Sequence, residues 1–123
     1  MKRCLALAAL VATPAFAEGD ADQGARVIRN CYACHSTEPG VDKAGPSLHG
    51  VMNRGVGASP LYSYSAAMRA LGSQGAVWDD ARMREFLLAP RQAVPGTKML
   101  NSGLRNESDI DDLIAYLRER ASE

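Results

Sequence analysis

Residues 31–35 read Cys31-Tyr32-Ala33-Cys34-His35, and this run constrains the fold more than any other in the chain. Two thiols three residues apart can form thioethers to the two vinyl groups on one side of a porphyrin, while the adjacent imidazole turns a ring nitrogen to the iron; C-x-x-C-H is the pattern for covalent attachment of a c-type haem. A thioredoxin-like dithiol would sit in a βαβ surround, and a tetrahedral zinc site would need two further Cys or His ligands. Outside the pair and His35 only Cys4 and His49 remain. A disulfide between Cys31 and Cys34 is the bland alternative.

Cys4 belongs to a segment that fold reasoning sets aside. Lys2 and Arg3 precede an apolar run from Cys4 to Ala15, and Ala15-Phe16-Ala17 offers a small-residue exit, the layout of a secretory signal peptide. The run is shorter than the ~20 residues a membrane-spanning helix needs. Cys4 stands at the front of the apolar run, whereas a lipid-anchored cysteine would follow it, so it reads as a passenger in the leader. Residues 1–17 are therefore expected to be cleaved and 18–123 to form the domain, in a periplasm; cleavage after Ala17 leaves 106 of the 123 residues. That length suits one small domain.

The pattern within the domain is helical. Ala25, Val27 and Ile28 sit among polar residues from Asp22 to Asn30, with Gly24 placed for close backbone approach. Ile110, Leu113, Ile114 and Leu117 recur at i, i+3, i+4 and i+7, an amphipathic stripe that Asn106 can cap, with Asp109 answering in a capping box. Asp79 or Asp80 can cap a helix carrying Met83, Phe86 and Leu87 that Pro90 ends, and Ser65 to Leu71 predicts a shorter one stopped by Gly72. No convincing period-2 run is present, so the expected class is all-α: three or four short helices joined by long, ordered, Gly- and Pro-rich loops. Loops of that length need something to pack against. A covalently bound haem at the centre supplies it.

Iron with six ligands needs a partner opposite His35, and a thioether there raises the potential. Met83 and Met68 fall inside predicted helices and read as packing or surface filler, and Met52 follows His35 too soon to travel round a porphyrin. Met99 fits best, on the stiffened turn Val94-Pro95-Gly96-Thr97-Lys98-Met99 that lies 64 residues past the histidine. His49 is the alternative, through bis-histidine ligation.

Charge is segregated along the domain. Residues 18–42 hold two basic against five acidic residues, residues 43–105 eight against three, and residues 106–123 two against six. A basic middle between acidic ends gives a dipole that can orient the molecule on a charged partner. The whole chain balances 14 basic with 14 acidic residues, which argues against nucleic acid as that partner.

The domain as a whole resembles the class I cytochromes c, the mitochondrial protein and its small bacterial counterparts. Lys43-Ala44-Gly45-Pro46-Ser47-Leu48-His49-Gly50, Tyr64-Ser65, Pro95-Gly96-Thr97-Lys98-Met99 and Asp112-Leu113-Ile114-Ala115-Tyr116-Leu117 are similar to that family's landmarks, in their order. The resemblance implies one haem c attached through Cys31 and Cys34, axial ligation by His35 and Met99, and a Pro46 carbonyl that accepts the other N–H of His35. It also implies that Arg54, Tyr64 and Trp78 contact a haem propionate or its ordered water, that Thr97 lies near the inner propionate, and that Phe86 takes a position where many relatives carry tyrosine. The terminal helices should cross at Gly24, Ile28, Leu113 and Tyr116. The implied function is monohaem electron transfer, without catalysis, by a monomer that docks transiently at the membrane surface. Its partners would be a quinol-oxidising cytochrome complex on one side and a terminal oxidase, reductase or photosynthetic reaction centre on the other. A haem-based ligand sensor or peroxidase, or a dedicated subunit of one dehydrogenase or oxidase complex, are the competing readings.

Overall fold

A computed structural model describes residues 8–10 and 18–120. The expected leader lies outside the described residues apart from 8–10, which are exposed and belong to no helix or strand. The described residues form five helices: α1 (Ala21–Val27), α2 (Ala66–Ser73), α3 (Asp80–Leu88), α4 (Pro90–Ala93) and α5 (Glu107–Arg120). Among them the only β pairing is an isolated antiparallel bridge between Gly55 and Val77.

The two ends of the domain close on each other. Asp20 caps α1, its carboxylate accepting the N–H groups of Asp22 and Gln23 at 2.9 and 3.3 Å. Its own N–H donates to the side chain of Asp112 at 2.8 Å, across 92 residues of chain. Gly24 is buried against α5 so closely that a Cβ there would overlap the carbonyl of Asp112 and approach Cβ of Tyr116 to 2.6 Å. Ile28, fully buried, then meets Ile110, Leu113 and Leu117 of the predicted stripe. Burying each of these side chains is worth about 1.5–3 kcal/mol relative to exposure. The predicted helix over 22–30 tightens after Val27 into a 3₁₀ turn, Ile28–Cys31, which delivers Cys31 to the centre of the molecule.

Three local expectations are refined. α2 does not stop at Gly72, which lies within the helix where a Cβ would overlap the carbonyl of Val56. The stop is Gly75, at φ +78°, with Gly75 N–H bonded to Gly72 O at 3.0 Å and Ala76 N–H to Leu71 O at 3.1 Å, a Schellman ending. Asp79, not Asp80, caps α3, which ends at Leu88; Pro90 follows as the first residue of α4, where its missing N–H costs nothing. Asn106 does accept the N–H of Ser108 at 3.0 Å, but the second capping contact is the Ser108 hydroxyl at 2.7 Å instead of a return from Asp109. On the outer face, ion pairs Arg84–Asp111 and Arg118–Asp80 tie α3 to α5.

Candidate cofactor site

The helices and loops enclose a cavity of about 470 Å³, lined largely by hydrocarbon. That volume lies in the usual range for pockets holding a sizeable organic ligand, ~300–1,000 Å³. All nine residues singled out from the sequence line it: Cys31, Cys34, His35, Pro46, Arg54, Tyr64, Trp78, Thr97 and Met99. They come from the first turn after α1, two loops, the stretch leading into α3 and the loop beyond α4, so tertiary folding alone brings them together.

Each is positioned by identifiable contacts. Cys31 ends the 3₁₀ turn and its carbonyl accepts the N–H groups of Cys34 and His35 at 3.1 and 2.9 Å, which folds the motif back on itself. The two thiols are separate, Cys31 half-buried and Cys34 exposed. Burial, and then the neighbouring Cys34, push the Cys31 thiol above its usual value, keeping it protonated. His35 Nδ1 lies 2.7 Å from the Pro46 carbonyl. Gly45 makes room for the ring, since a Cβ there would come within 2.8 Å of Nδ1 and overlap Cε1. Burial lowers the imidazole pKa, the Pro46 hydrogen bond opposes this, and the Arg54 and Lys43 charges add to the lowering. The ring is thus neutral, donating Nδ1–H to Pro46 and leaving Nε2 with a free lone pair, the tautomer a metal ligand requires.

Pro46 is held by a network around its loop. Gly45 N–H donates to Cys34 O at 2.7 Å, Ser47 N–H to Asp42 at 2.8 Å and the buried Ser47 hydroxyl to Glu38 O at 2.5 Å. Arg54 ties off the far side, its two terminal nitrogens donating to His49 O and Ser47 O at 3.0 and 2.9 Å. Its third donor, Nε, is buried and has no partner. Burial lowers the guanidinium pKa, with Tyr64 and Asp42 opposing, but an arginine keeps its charge. A cation with an unpaired donor in an apolar cavity wall calls for an anionic group, and a haem propionate is one.

Trp78 is buried beside Arg54 because the β-bridge puts it there: Trp78 N–H donates to Arg54 O at 2.9 Å and Asn53 N–H to Trp78 O at 2.8 Å. Phe86 packs on its ring with centroids 5.1 Å apart. Tyr64 is buried with its hydroxyl accepting Ser59 N–H at 3.0 Å, which leaves the phenolic hydrogen to donate. Thr97 Oγ1 accepts the N–H of Met99 at 3.3 Å, and Lys98 clamps the same turn to the Ser63 carbonyl at 2.7 Å. The cavity chemistry therefore fits haem: thiols and imidazole at one end, a thioether from a tied-down turn, a cation with a spare donor, and apolar walls.

Sequence reasoning missed part of the wall. Met68 and Met83 are buried and line the cavity with Met99, where a place in packing or at the surface was expected. Their place within predicted helices could not say which way they face or what the interior holds. Tyr62, edge-on to Tyr64 at 4.8 Å between centroids, carried no signal at all. Met52 is buried outside the cavity, and His49 does not line it either. Among the described residues no cluster of three or more His, Cys, Asp or Glu could hold a metal ion by itself.

Comparison with known proteins agrees with this chemistry. The family profile Cytochrome c matches residues 21–121. The cytochrome c2 of Agrobacterium tumefaciens (strain II Chrys) is 42% identical over 106 residues, spanning 85% of this chain and 96% of its own. That of Rhodoblastus acidophilus is 44% identical over 102 residues, 82% of this chain and 92% of its own. Among solved structures, cytochrome cH from Methylobacterium extorquens superposes with a TM-score of 0.74 at 36% identity, covering 82% of this chain and 99% of that one. The chain belongs to the cytochrome c family, whose members are monohaem electron-transfer proteins, and Cys31 and Cys34 are its attachment points for haem c.

Proposed function

We propose that residues 18–123, released from a leader at 1–17, form a periplasmic carrier that moves single electrons between membrane redox complexes and transforms no substrate. The observation that carries this reading is the placing of His35 and Met99 on one cavity, His35 with Nδ1 engaged at 2.7 Å and Met99 on a turn tied down at Thr97 and Lys98. His35 and Met99 would hold the iron, Cys31 and Cys34 the porphyrin edge, and Arg54, Tyr64, Trp78 and Thr97 the propionates. When bound, the haem supplies a one-electron couple.

The chain's own part is to keep that couple reversible. Pro46 fixes the imidazole plane, the Thr97 and Lys98 contacts hold the thioether turn in place, and the apolar walls exclude water. Held in this way, His35 and Met99 would be in place to hold the iron in either oxidation state with little rearrangement of the chain. Donor and acceptor are membrane complexes of the class that oxidises quinol and the class that consumes electrons, a terminal oxidase, reductase or photosynthetic reaction centre. Docking is transient, and the basic middle segment faces acidic patches on these partners. Among the described residues no helix is long and apolar enough to cross a membrane.

Reduced-minus-oxidised spectra with a redox titration of the purified holoprotein test this. The expected result is a low-spin haem c with the weak near-infrared band of sulfur-ligated ferric iron and turnover with membrane oxidases. A high-spin ferric spectrum with rapid carbon monoxide binding would instead place it among ligand-binding haem proteins.

A further inference from the structure

Tyr32, between the two attachment cysteines, has its hydroxyl oxygen 3.4 Å from that of Tyr116 on α5. Neither backbone is free to drift. Tyr32 N–H donates to Arg29 O at 3.4 Å and its carbonyl accepts Lys43 Nζ at 2.5 Å. Tyr116 lies on the face of α5 pressed against Gly24. Carrying an electron between partners uses neither ring. We propose that Tyr32 and Tyr116 are an oxidisable pair that closes to an ortho–ortho dityrosine bond when the haem-loaded protein meets hydrogen peroxide.

Chemistry and placement both support it. Hydroxyls this close put the ortho ring carbons within reach of each other after small side-chain rotations. Tyr32 is bonded directly to Cys31, so the covalent route from porphyrin to its ring is the shortest for any aromatic in the chain. The Arg120 guanidinium carbon lies 5.9 Å from the centroid of the Tyr116 ring, a cation that makes that ring the harder one to oxidise, so Tyr32 gives up the first electron. Tyr32 is 38% exposed, and its phenolic proton can leave to water.

The reaction balances. Each tyrosine gives one electron and its phenolic proton, the two radicals join through a carbon–carbon bond, and the ortho hydrogens move to the oxygens to restore both phenols. The peroxide O–O bond breaks, and the two electrons and two protons convert it to two waters. The product fastens the attachment motif to the C-terminal helix and consumes oxidising equivalents that would otherwise reach the Met99 thioether.

The proposal rests on covalent haem at Cys31 and Cys34, which the visible spectrum of the denatured protein checks beforehand. Dilute ferric holoprotein treated with equimolar peroxide should yield a monomer two hydrogens lighter, with a proteolytic peptide pair joining Tyr32 to Tyr116 and dityrosine fluorescence after digestion. Tyr32→Phe and Tyr116→Phe should each lower that pair at least tenfold. Haem bleaching without the linked peptides, links only between molecules, or an undiminished mass loss in Tyr32→Phe would overturn the proposal. A parallel run with a photogenerated one-electron oxidant separates its two layers. Linkage by light and not by peroxide overturns the haem-fed route, and linkage by neither overturns the pair itself.

Discussion

His35 Nδ1 and the Pro46 carbonyl oxygen lie 2.7 Å apart, so the imidazole enters the cavity already oriented and already in its metal-binding tautomer. Burial lowers its pKa, and the cations Arg54 and Lys43 outside the ring act in the same direction. A base whose folded pKa is depressed opposes folding and ligation only once it is protonated. The ligated state is thus fully favoured above the unperturbed imidazole value of about 6.5 and weakens as the pH falls below it. The visible and near-infrared spectra of the ferric protein should stay constant from neutral pH down through that value and change only in more acid solution. A transition centred on 6.5 itself would contradict the assignment.

Three cavity-lining methionines make the ligand assignment testable. Met99→Ala should abolish the near-infrared band, lower the potential and admit carbon monoxide. Met68→Ala and Met83→Ala should keep all three properties while costing about 2–5 kcal/mol of stability, because each removes a buried side chain. Spectra and thermal melts of the three variants decide between the roles, and the reverse ranking would refute the assignment.

Gly24 allows α1 and α5 to touch backbone to backbone. Gly24→Ala would raise helix propensity on an isolated helix, yet here the added methyl meets the Asp112 carbonyl. The expected outcome is a loss of about 1–3 kcal/mol, read as a lowered unfolding midpoint in denaturant at unchanged slope.

Asn53 is the only non-glycine residue at positive φ among the described residues, at +66°, while its N–H bonds to Trp78 O at 2.8 Å. Asn53→Val should destabilise by about 1–2 kcal/mol, since a β-branched side chain clashes in that conformation, whereas Asn53→Gly should be neutral or stabilising. Equal unfolding midpoints for the two variants would show that the loop does not hold this conformation in solution.

Electron-transfer rates with acidic partners should fall with ionic strength, but by less than the charge count of the middle segment suggests. Arg84 is engaged with Asp111, Arg54 bonds two carbonyls inside the molecule, and Arg69 donates to Tyr64 O at 2.6 Å. Stopped-flow rates at several salt concentrations give the slope, and a flat line would remove the electrostatic component of docking.

What the sequence revealed and what it concealed divides along range of interaction. The Cys31–His35 motif, the stripe Ile110–Leu117 and the capping acids act within a few residues, so their spacing alone declares them. Met99 was legible because Pro95 and Gly96 stiffen its turn. Gly72 and Gly75 look alike in sequence. One stops a helix and the other lets Val56 approach, a distinction that only a distant segment makes. The same holds for Arg54 and Trp78, whose adjacency rests on one isolated bridge with no strand pattern to announce it. Met68 and Met83 read as packing or surface filler, because a place within a helix cannot tell a packed core from the wall of a cofactor chamber.

The clasp between Asp20 and Asp112 spans nearly the whole domain, and it sets an order of events during biogenesis. A chain made from its N-terminus presents its thiol pair long before its last helix exists. Until α5 arrives α1 has no surface to close against, so the cysteines remain open to whatever enzyme joins them to porphyrin. Arrival of the final residues then shuts the door behind the finished cofactor.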